Sequence, residues 1–266
     1  MKDLLLSLQS EFYKSRKTLG FWSAILLPVL ICLLVFWHFY SDSAKMAAFP
    51  GMLLWLRFAG AILNVMGALL LPIMVIFICY SVNSIEHKAD TWKTLFSLPI
   101  SKWAIYSAKF LYALLLIALC LTLFYSFTIA TGNLLGNLKP ELRFADYHME
   151  GVLFQVYFKL FLSALGILSV QFLLSLLWSD FLKPMGIGFV GTISGLILAS
   201  FDWKYAYLIP YAHPSLTVKN IMPRRNMMAI PELKVEIFTD HVYVSLIVCM
   251  AVFIAGFYIV QKKSVK

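Results

Sequence analysis

The chain has 266 residues, 61% of them apolar and only 13% charged. A soluble domain carries roughly 45–50% apolar and about 25% charged residues, and here the apolar residues fall in long unbroken blocks, so a soluble enzyme is excluded and a polytopic membrane protein is implied. The net charge of +9 is then read as a topology signal and not as a nucleic-acid footprint, because its meaning depends on where the cations sit between the blocks.

An α-helix needs about 20 apolar residues to cross roughly 30 Å of hydrocarbon. Six stretches meet that length: 21–40, 58–80, 110–131, 152–178 (with Lys159 snorkelling), 184–201 and 242–260. Continuous runs without period-2 alternation predict helices and argue against a barrel. The first run is too long for a secretory signal and has no small-x-small site after it, so no cleavable leader is expected. With the N-terminus inside, the inner segments hold 12 Lys/Arg and 5 Asp/Glu, and the outer segments 9 and 8. The net positive excess is therefore inner, which places both termini in the cytoplasm.

Three stretches outside the spans stand out in chain order. In residues 1–20, Leu4, Leu5, Leu8, Phe12 and Leu19 recur near helical spacing between Lys2, Glu11, Lys14, Arg16 and Lys17. This predicts an amphipathic helix in the inner interface. The loop from Ser81 to Lys102 is expected to hold a short helix capped by Asn83 or Ser84, with Glu86 and Asp90 near its positive end and Pro99 as its stop. That helix would project Trp92, Leu95 and Phe96 from a charged loop. Burial in the interface and burial against a partner both satisfy them, and the residues alone leave both open. Third, residues 201–240 open with tyrosines, a tryptophan and prolines (Trp203, Tyr205, Tyr207, Pro210, Tyr211, Pro214) and carry Arg224 and Arg225 at their centre. An aromatic-belt or re-entrant segment is expected there, with no seventh span. No repeat or linker divides the chain, so residues 1–266 are read as one domain.

The chemistry is notable for what is missing. Span centres lack Asp, Glu, Lys and Arg, with Lys109, Lys159 and His38 near ends, which disfavours an ion-coupled carrier or channel; that remains the alternative reading. His-Glu-x-x-His and Gly-x-Ser-x-Gly do not occur, so no catalytic residues are assigned. There is no phosphate-binding Gly-rich loop, so any ATP would be hydrolysed by another chain. The cysteines Cys32, Cys79, Cys120 and Cys249 lie inside apolar blocks without paired spacing, and neither a metal site nor a disulfide framework is expected. In-span Asn64, Tyr157, Ser163, Ser169, Gln171 and Ser175 are read as interhelical hydrogen-bonding groups before substrate contacts. Gly191-x-x-x-Gly195 offers span five a small-residue face for a permease–permease seam.

The start containing Glu11-Phe-Tyr-Lys14, the six-span layout, the loop Thr91-Trp-Lys-Thr-Leu-Phe-Ser-Leu-Pro-Ile-Ser-Lys102 followed by Tyr106-Ser-Ala-Lys109, and the late Ile209-Pro-Tyr-Ala-His-Pro214 resemble the ABC-2 type permeases. Among these the chain is most similar to the lantibiotic-immunity and bacitracin-resistance permease group. The resemblance implies an all-α fold of six transmembrane helices with an N-terminal interfacial helix and a cytoplasmic coupling helix, the type V exporter arrangement. It implies a second six-span chain, the same or paralogous, and a separate pair of ABC ATPase subunits holding ATP and magnesium. The coupling helix would run from Glu86 to Leu98, with Glu86, His87, Asp90, Thr91, Trp92, Leu95, Phe96 and Leu98 as its contacts on the ATPase, and Glu11 and Lys14 on the interfacial helix that docks beside it. It further implies a bacterial cytoplasmic membrane and export of amphiphilic peptides or a related amphiphile.

Overall fold

The computed structural model describes residues 2–46, 49–97, 99–221 and 235–262. Its helices are α1 (Lys2–Ser15), α2 (Leu19–Ser41), α3 (Ser43–Met46), α4 (Gly51–Val65), α5 (Leu71–Ala89), α6 (Trp92–Ser97), α7 (Lys102–Leu138), α8 (Glu150–Leu177), α9 (Leu182–Ser200), α10 (His213–Ile221) and α11 (Asp240–Lys262). No strand occurs among the described residues. Six helices are long and apolar enough to cross a membrane: α2, the composite Gly51–Ala89, α7, α8, α9 and α11. The expected six spans are all present, and the fold is the all-helical one expected. We call the end that carries the 81–109 connection the inner end.

Boundaries are set by local chemistry. Thr18 precedes α2 in extended conformation and its hydroxyl accepts the Phe21 N–H at 3.4 Å. Ser101 does the same for α7, accepting the Ala104 N–H at 3.2 Å. The Asp180 carboxylate accepts the Lys183 N–H at 2.9 Å at the start of α9. Each supplies an acceptor for a helix-start N–H that has no intrahelical partner.

Two spans run well past the hydrocarbon. The composite second span has 39 residues and α7 has 37, or about 58 and 56 Å at the helical rise, against roughly 30 Å of bilayer core. At the outer end this excess is packed on itself. The Trp55 ring lies 4.9 Å from Phe144, its indole N–H donates to the Phe144 carbonyl at 2.8 Å, and Phe58 meets both Phe39 and Phe144 edge-on. The second span and α8 form the buried centre of the bundle, while α2, α9 and α11 are peripheral.

The second span is interrupted by a π-turn at Met66–Leu70, where the Leu71 N–H reaches back five residues to the Met66 carbonyl. Between α9 and α11 the chain turns inward. Tyr211 packs on Gly191 and Gly195 of α9, and α10 rises from there beside α8 and the π-turn. The described part of residues 201–240 is thus a re-entrant segment, one of the two forms expected for it. Arg224 and Arg225 lie outside the described residues.

The in-span polar residues mostly join helices. The Asn83 amide donates to the Ser175 hydroxyl at 2.8 Å, Ser163 shares a hydrogen bond with Thr217 at 2.7 Å, and the Ser245 hydroxyl accepts the Gly166 N–H at 2.9 Å. With the Gln171 amide oriented to accept from the Tyr211 hydroxyl at 2.7 Å, its nitrogen donates to the Pro184 carbonyl at 3.2 Å. Ser169 instead bonds its own helix at the Gly166 carbonyl, and the exposed Asn64 bonds the Gly60 carbonyl. Lys159 does not snorkel to solvent: it is 2% exposed and donates to the Glu236 carbonyl at 2.7 Å.

Two further expectations are corrected. Asn83 and Ser84 do not cap a loop helix; both are buried in α5, which continues to Ala89 because its polar residues are buried against α7, α8 and α1 instead of meeting water. The Gly191/Gly195 face is not free for a second chain. A Cβ on Gly191 would meet the Tyr211 ring at 2.9 Å, and one on Gly195 would meet the Tyr211 backbone at 2.5 Å, so the chain's own re-entrant segment fills that seam.

Candidate functional site

The inner ends of α1, α5 and α7 converge on four charged side chains. Lys109 of α7 is 1% exposed, and its ammonium donates to Glu86 at 2.6 Å, to Glu11 at 2.9 Å and to the Val82 carbonyl at 3.3 Å. Lys14 closes the ring, reaching the other oxygens of Glu11 and Glu86 at 3.1 and 3.0 Å. Two cations and two carboxylates give a neutral square, and every carboxylate oxygen in it has a cationic donor. A buried charge is tolerable only when paired and hydrogen-bonded in this way. Burial acts to lower the Lys14 pKa, but the carboxylates of Glu11 and Glu86 outweigh it and hold the ammonium above its ordinary value.

Local sequence places each member. On α1, Glu11 and Lys14 are three residues apart and share a face, while the opposite face exposes Leu5, Leu6 and Tyr13. The Arg16 guanidinium, just past the helix end, stacks over Phe12 and Tyr13 at 4.7 and 4.9 Å. Glu86 lies one turn before the end of α5. That end is set by Asp90, whose φ of 48° is left-handed and whose N–H closes on the Glu86 and His87 carbonyls, a C-terminal cap conformation that Asp and Asn tolerate better than most residues. Asp90 therefore terminates the span-two helix; it does not sit in the first turn of a loop helix as expected.

The loop helix is α6, six residues long and ended before Pro99. Its first residue turns inward. The Trp92 indole N–H donates to His87 Nδ1 at 3.1 Å, and its ring faces the Lys109 ammonium at 5.6 Å. With Nδ1 accepting, His87 carries its proton on Nε2 and donates to the Ser175 carbonyl at 3.1 Å, which ties the turn to α8. Trp92 also lines a small cleft with Ile105, Tyr106, Lys109, Leu176 and Val260, so α7, α8 and α11 all reach this point. Tyr106 adds a hydrogen bond to the Phe253 carbonyl at 3.0 Å.

Of the residues singled out in sequence, Glu11, Lys14, Glu86, His87 and Trp92 are brought together. Glu86 is 2% exposed and belongs to the square, not to an outward contact surface. Asp90 and Thr91 are exposed, and Leu95 is half-buried. The Phe96 side chain and Leu98 lie outside the described residues. Lys109 is the member that sequence reasoning placed only at a span end; its signal was its position in Tyr106-Ser-Ala-Lys109, immediately before an apolar run. No group of three or more His, Cys, Asp or Glu that could hold a metal occurs among the described residues.

The comparisons with known proteins give one match. No curated protein and no solved structure matches the chain. A family model described as ABC-2 family transporter protein matches residues 7–195, a stretch that contains the whole charged square and spans one to four. Six membrane-crossing helices and a match over more than half of the sequence together establish that the chain belongs to the ABC-2 transporter family, as a multi-pass membrane permease of an ABC transporter.

Proposed function

We propose that this chain is the permease subunit of an ATP-driven exporter in a bacterial cytoplasmic membrane, and that the charged square at its inner end receives the motor stroke. Two ABC ATPase subunits would hold ATP and magnesium, and a second six-span permease, the same chain or a paralogue, would complete the pathway. The observation that carries the reading is the burial of Lys109 between Glu11 and Glu86, which joins the N-terminal helix, span two and span three into one unit. A displacement delivered at the Asp90 turn or at α6 reaches all three helices together, as rigid-element coupling requires.

The same geometry sorts the coupling residues. Trp92 and His87 are internal anchors that hold α6 to the bundle. Lys88, Asp90, Thr91 and Thr94 are the exposed groups at this turn, with half-buried Leu95 beside them, and they are the contacts assigned to the ATPase. The cargo is read as an amphiphilic peptide or related amphiphile, a reading supported by the chain's similarity to the lantibiotic-immunity and bacitracin-resistance permease group.

The test is co-purification of the tagged chain, expressed in its native host, with an ABC ATPase subunit. Lys88→Glu with Thr94→Arg, both at exposed helical positions, is expected to cut the recovered ATPase about tenfold, a loss of about 1.4 kcal/mol, while insertion and detergent elution stay as in the wild type. Undiminished recovery in that double variant would remove the junction from the motor interface.

A further inference from the structure

The π-turn in span two divides it into an outer arm, α4, and an inner arm, α5. The sequence supplies the cause: Pro72, in the first turn of α5, has no N–H to give to the helical ladder, and Gly67 lies in the turn itself. A π-turn leaves backbone groups out of the regular pattern, and inside a bilayer each must find another partner.

The partner of the Gly67 carbonyl comes from the re-entrant segment. The Ser215 hydroxyl of α10 donates to it at 3.0 Å. The two elements touch closely there: a Cβ on Gly67 would run into the Val218 side chain and lie 2.9 Å from the Pro214 carbonyl. The re-entrant segment is itself fixed to the other spans. The Tyr211 hydroxyl bonds Gln171 of α8. Thr217 bonds Ser163 of α8 at 2.7 Å and His241 of α11 at 3.0 Å. Lys219 donates to the Ala199 carbonyl of α9 and to Asp202, each at 2.7 Å. Spans four, five and six thus hold α10 by side chains on three sides, and α10 holds span two at its bend.

We infer that Ser215 is a positioning residue: by bonding the Gly67 carbonyl it sets the bend of span two, so that the re-entrant segment fixes the outer arm α4 relative to spans four to six. Trp55 and Phe58 pack the outer arm on Phe144, on Phe39 of α2 and on Gly132 of α7, and its contacts with the π-turn and α10 relate it to spans four to six. The inner arm is tied to α8 by Asn83 and His87 and to α7 by Glu86. A change at the joint therefore swings the outer end and leaves the inner end in place. The inference rests on the bundle alone and stands or falls independently of the ATPase assignment.

The experiment measures spin-label distances in the full chain in lipid nanodiscs, in a Cys249→Ser background, since Cys32, Cys79 and Cys120 are buried and Cys249 is half-exposed. The outer pair is Arg57→Cys with Tyr243→Cys; the inner pair is Lys88→Cys with Tyr258→Cys, all four at exposed positions. Ser215→Ala is expected to broaden the outer-pair distribution and add a second, shifted population while the inner pair keeps its wild-type width. Ser215→Thr, which retains the hydroxyl, restores the single narrow outer population. Gly67→Ala, which pushes α10 from the turn, broadens the outer pair as Ser215→Ala does. An outer pair unchanged in Ser215→Ala overturns the inference, and so does equal broadening of both pairs, which is general loosening; should Gly67→Ala not fold, the Ser215 series decides alone.

Discussion

At the scale of single residues, the charged square and the Asp90 turn make opposite demands. Removing one member of a buried ion cluster leaves uncompensated charge, which costs about 3–5 kcal/mol, whereas a half-exposed pair contributes about 1 kcal/mol or less. Lys109 is 1% exposed and the Lys14 side chain is 30% exposed. Lys109→Met should therefore lower the melting temperature of the detergent-solubilised protein well below that of Lys14→Met, and Glu86→Gln should fall with Lys109→Met, because the amide keeps one acceptor and sets its NH2 against an ammonium. Equal losses for Lys109→Met and Lys14→Met would show that the square is hydrated. Asp90 behaves differently, since its left-handed φ of 48° costs a residue with a side chain roughly 1 kcal/mol that glycine does not incur. Asp90→Gly is expected to leave thermal stability equal or higher and Asp90→Val to lower it, read in the same melting assay.

At the scale of elements, the outcome of each reading follows from whether its signal is local. Span count and order are legible because hydropathy is a property of consecutive residues, and the short helix ended by Pro99 is legible from its proline. The extent of α5 is not. Residues 81–86 read as loop because Ser81, Asn83, Ser84 and Glu86 are polar, yet they are buried by partners 23 to 98 positions away from them or from one another, such as Lys109 and Glu11. The charged square is hidden for the same reason, since Glu11, Lys14, Glu86 and Lys109 sit at three separate span edges. The bend in span two had a local signal, Gly67 and Pro72 within one apolar run. Small residues in span five were legible as a packing face but not as to what packs there, and substitutions distinguish them. A Cβ at Gly195 meets the Tyr211 backbone, which cannot rotate away, whereas one at Gly186 meets nothing within 4 Å. Gly195→Ala should cost about 1–3 kcal/mol by overpacking and Gly186→Ala almost nothing, measured as the shift in unfolding temperature; indifference at Gly195 would mean that the re-entrant segment is not seated on span five.

At the scale of the whole molecule, the charge pattern and the bundle have to agree on direction. Six spans put the two ends of the described chain on one face, and the face that carries α1, α6 and the Asp90 turn holds most of the net positive charge, so the positive-inside bias predicts that it lies in the cytoplasm. At the opposite end the cations are occupied locally: Arg57 stacks on Phe49 at 4.1 Å, Lys139 lies 5.0 Å from the Tyr40 ring, and Lys45 pairs with Asp42 at 2.7 Å, holding that carboxyl below its usual range. At the inner end Lys2, Arg16 and Lys17 are exposed, with Arg16 stacked over Phe12 and Tyr13. His148, with a side chain 90% exposed between spans three and four, and Lys88, exposed at the end of span two, report the two faces. A membrane-impermeant maleimide should label His148→Cys in intact cells and Lys88→Cys only after permeabilisation. Neutralising Lys2, Arg16 and Lys17 together, which leaves the Glu11–Lys14 pair in place, should produce a second population in which Lys88→Cys is labelled from outside. Labelling of Lys88→Cys in intact cells with the wild-type cations present would invert the assigned orientation and move the charged square to the side of the membrane that has no ATP.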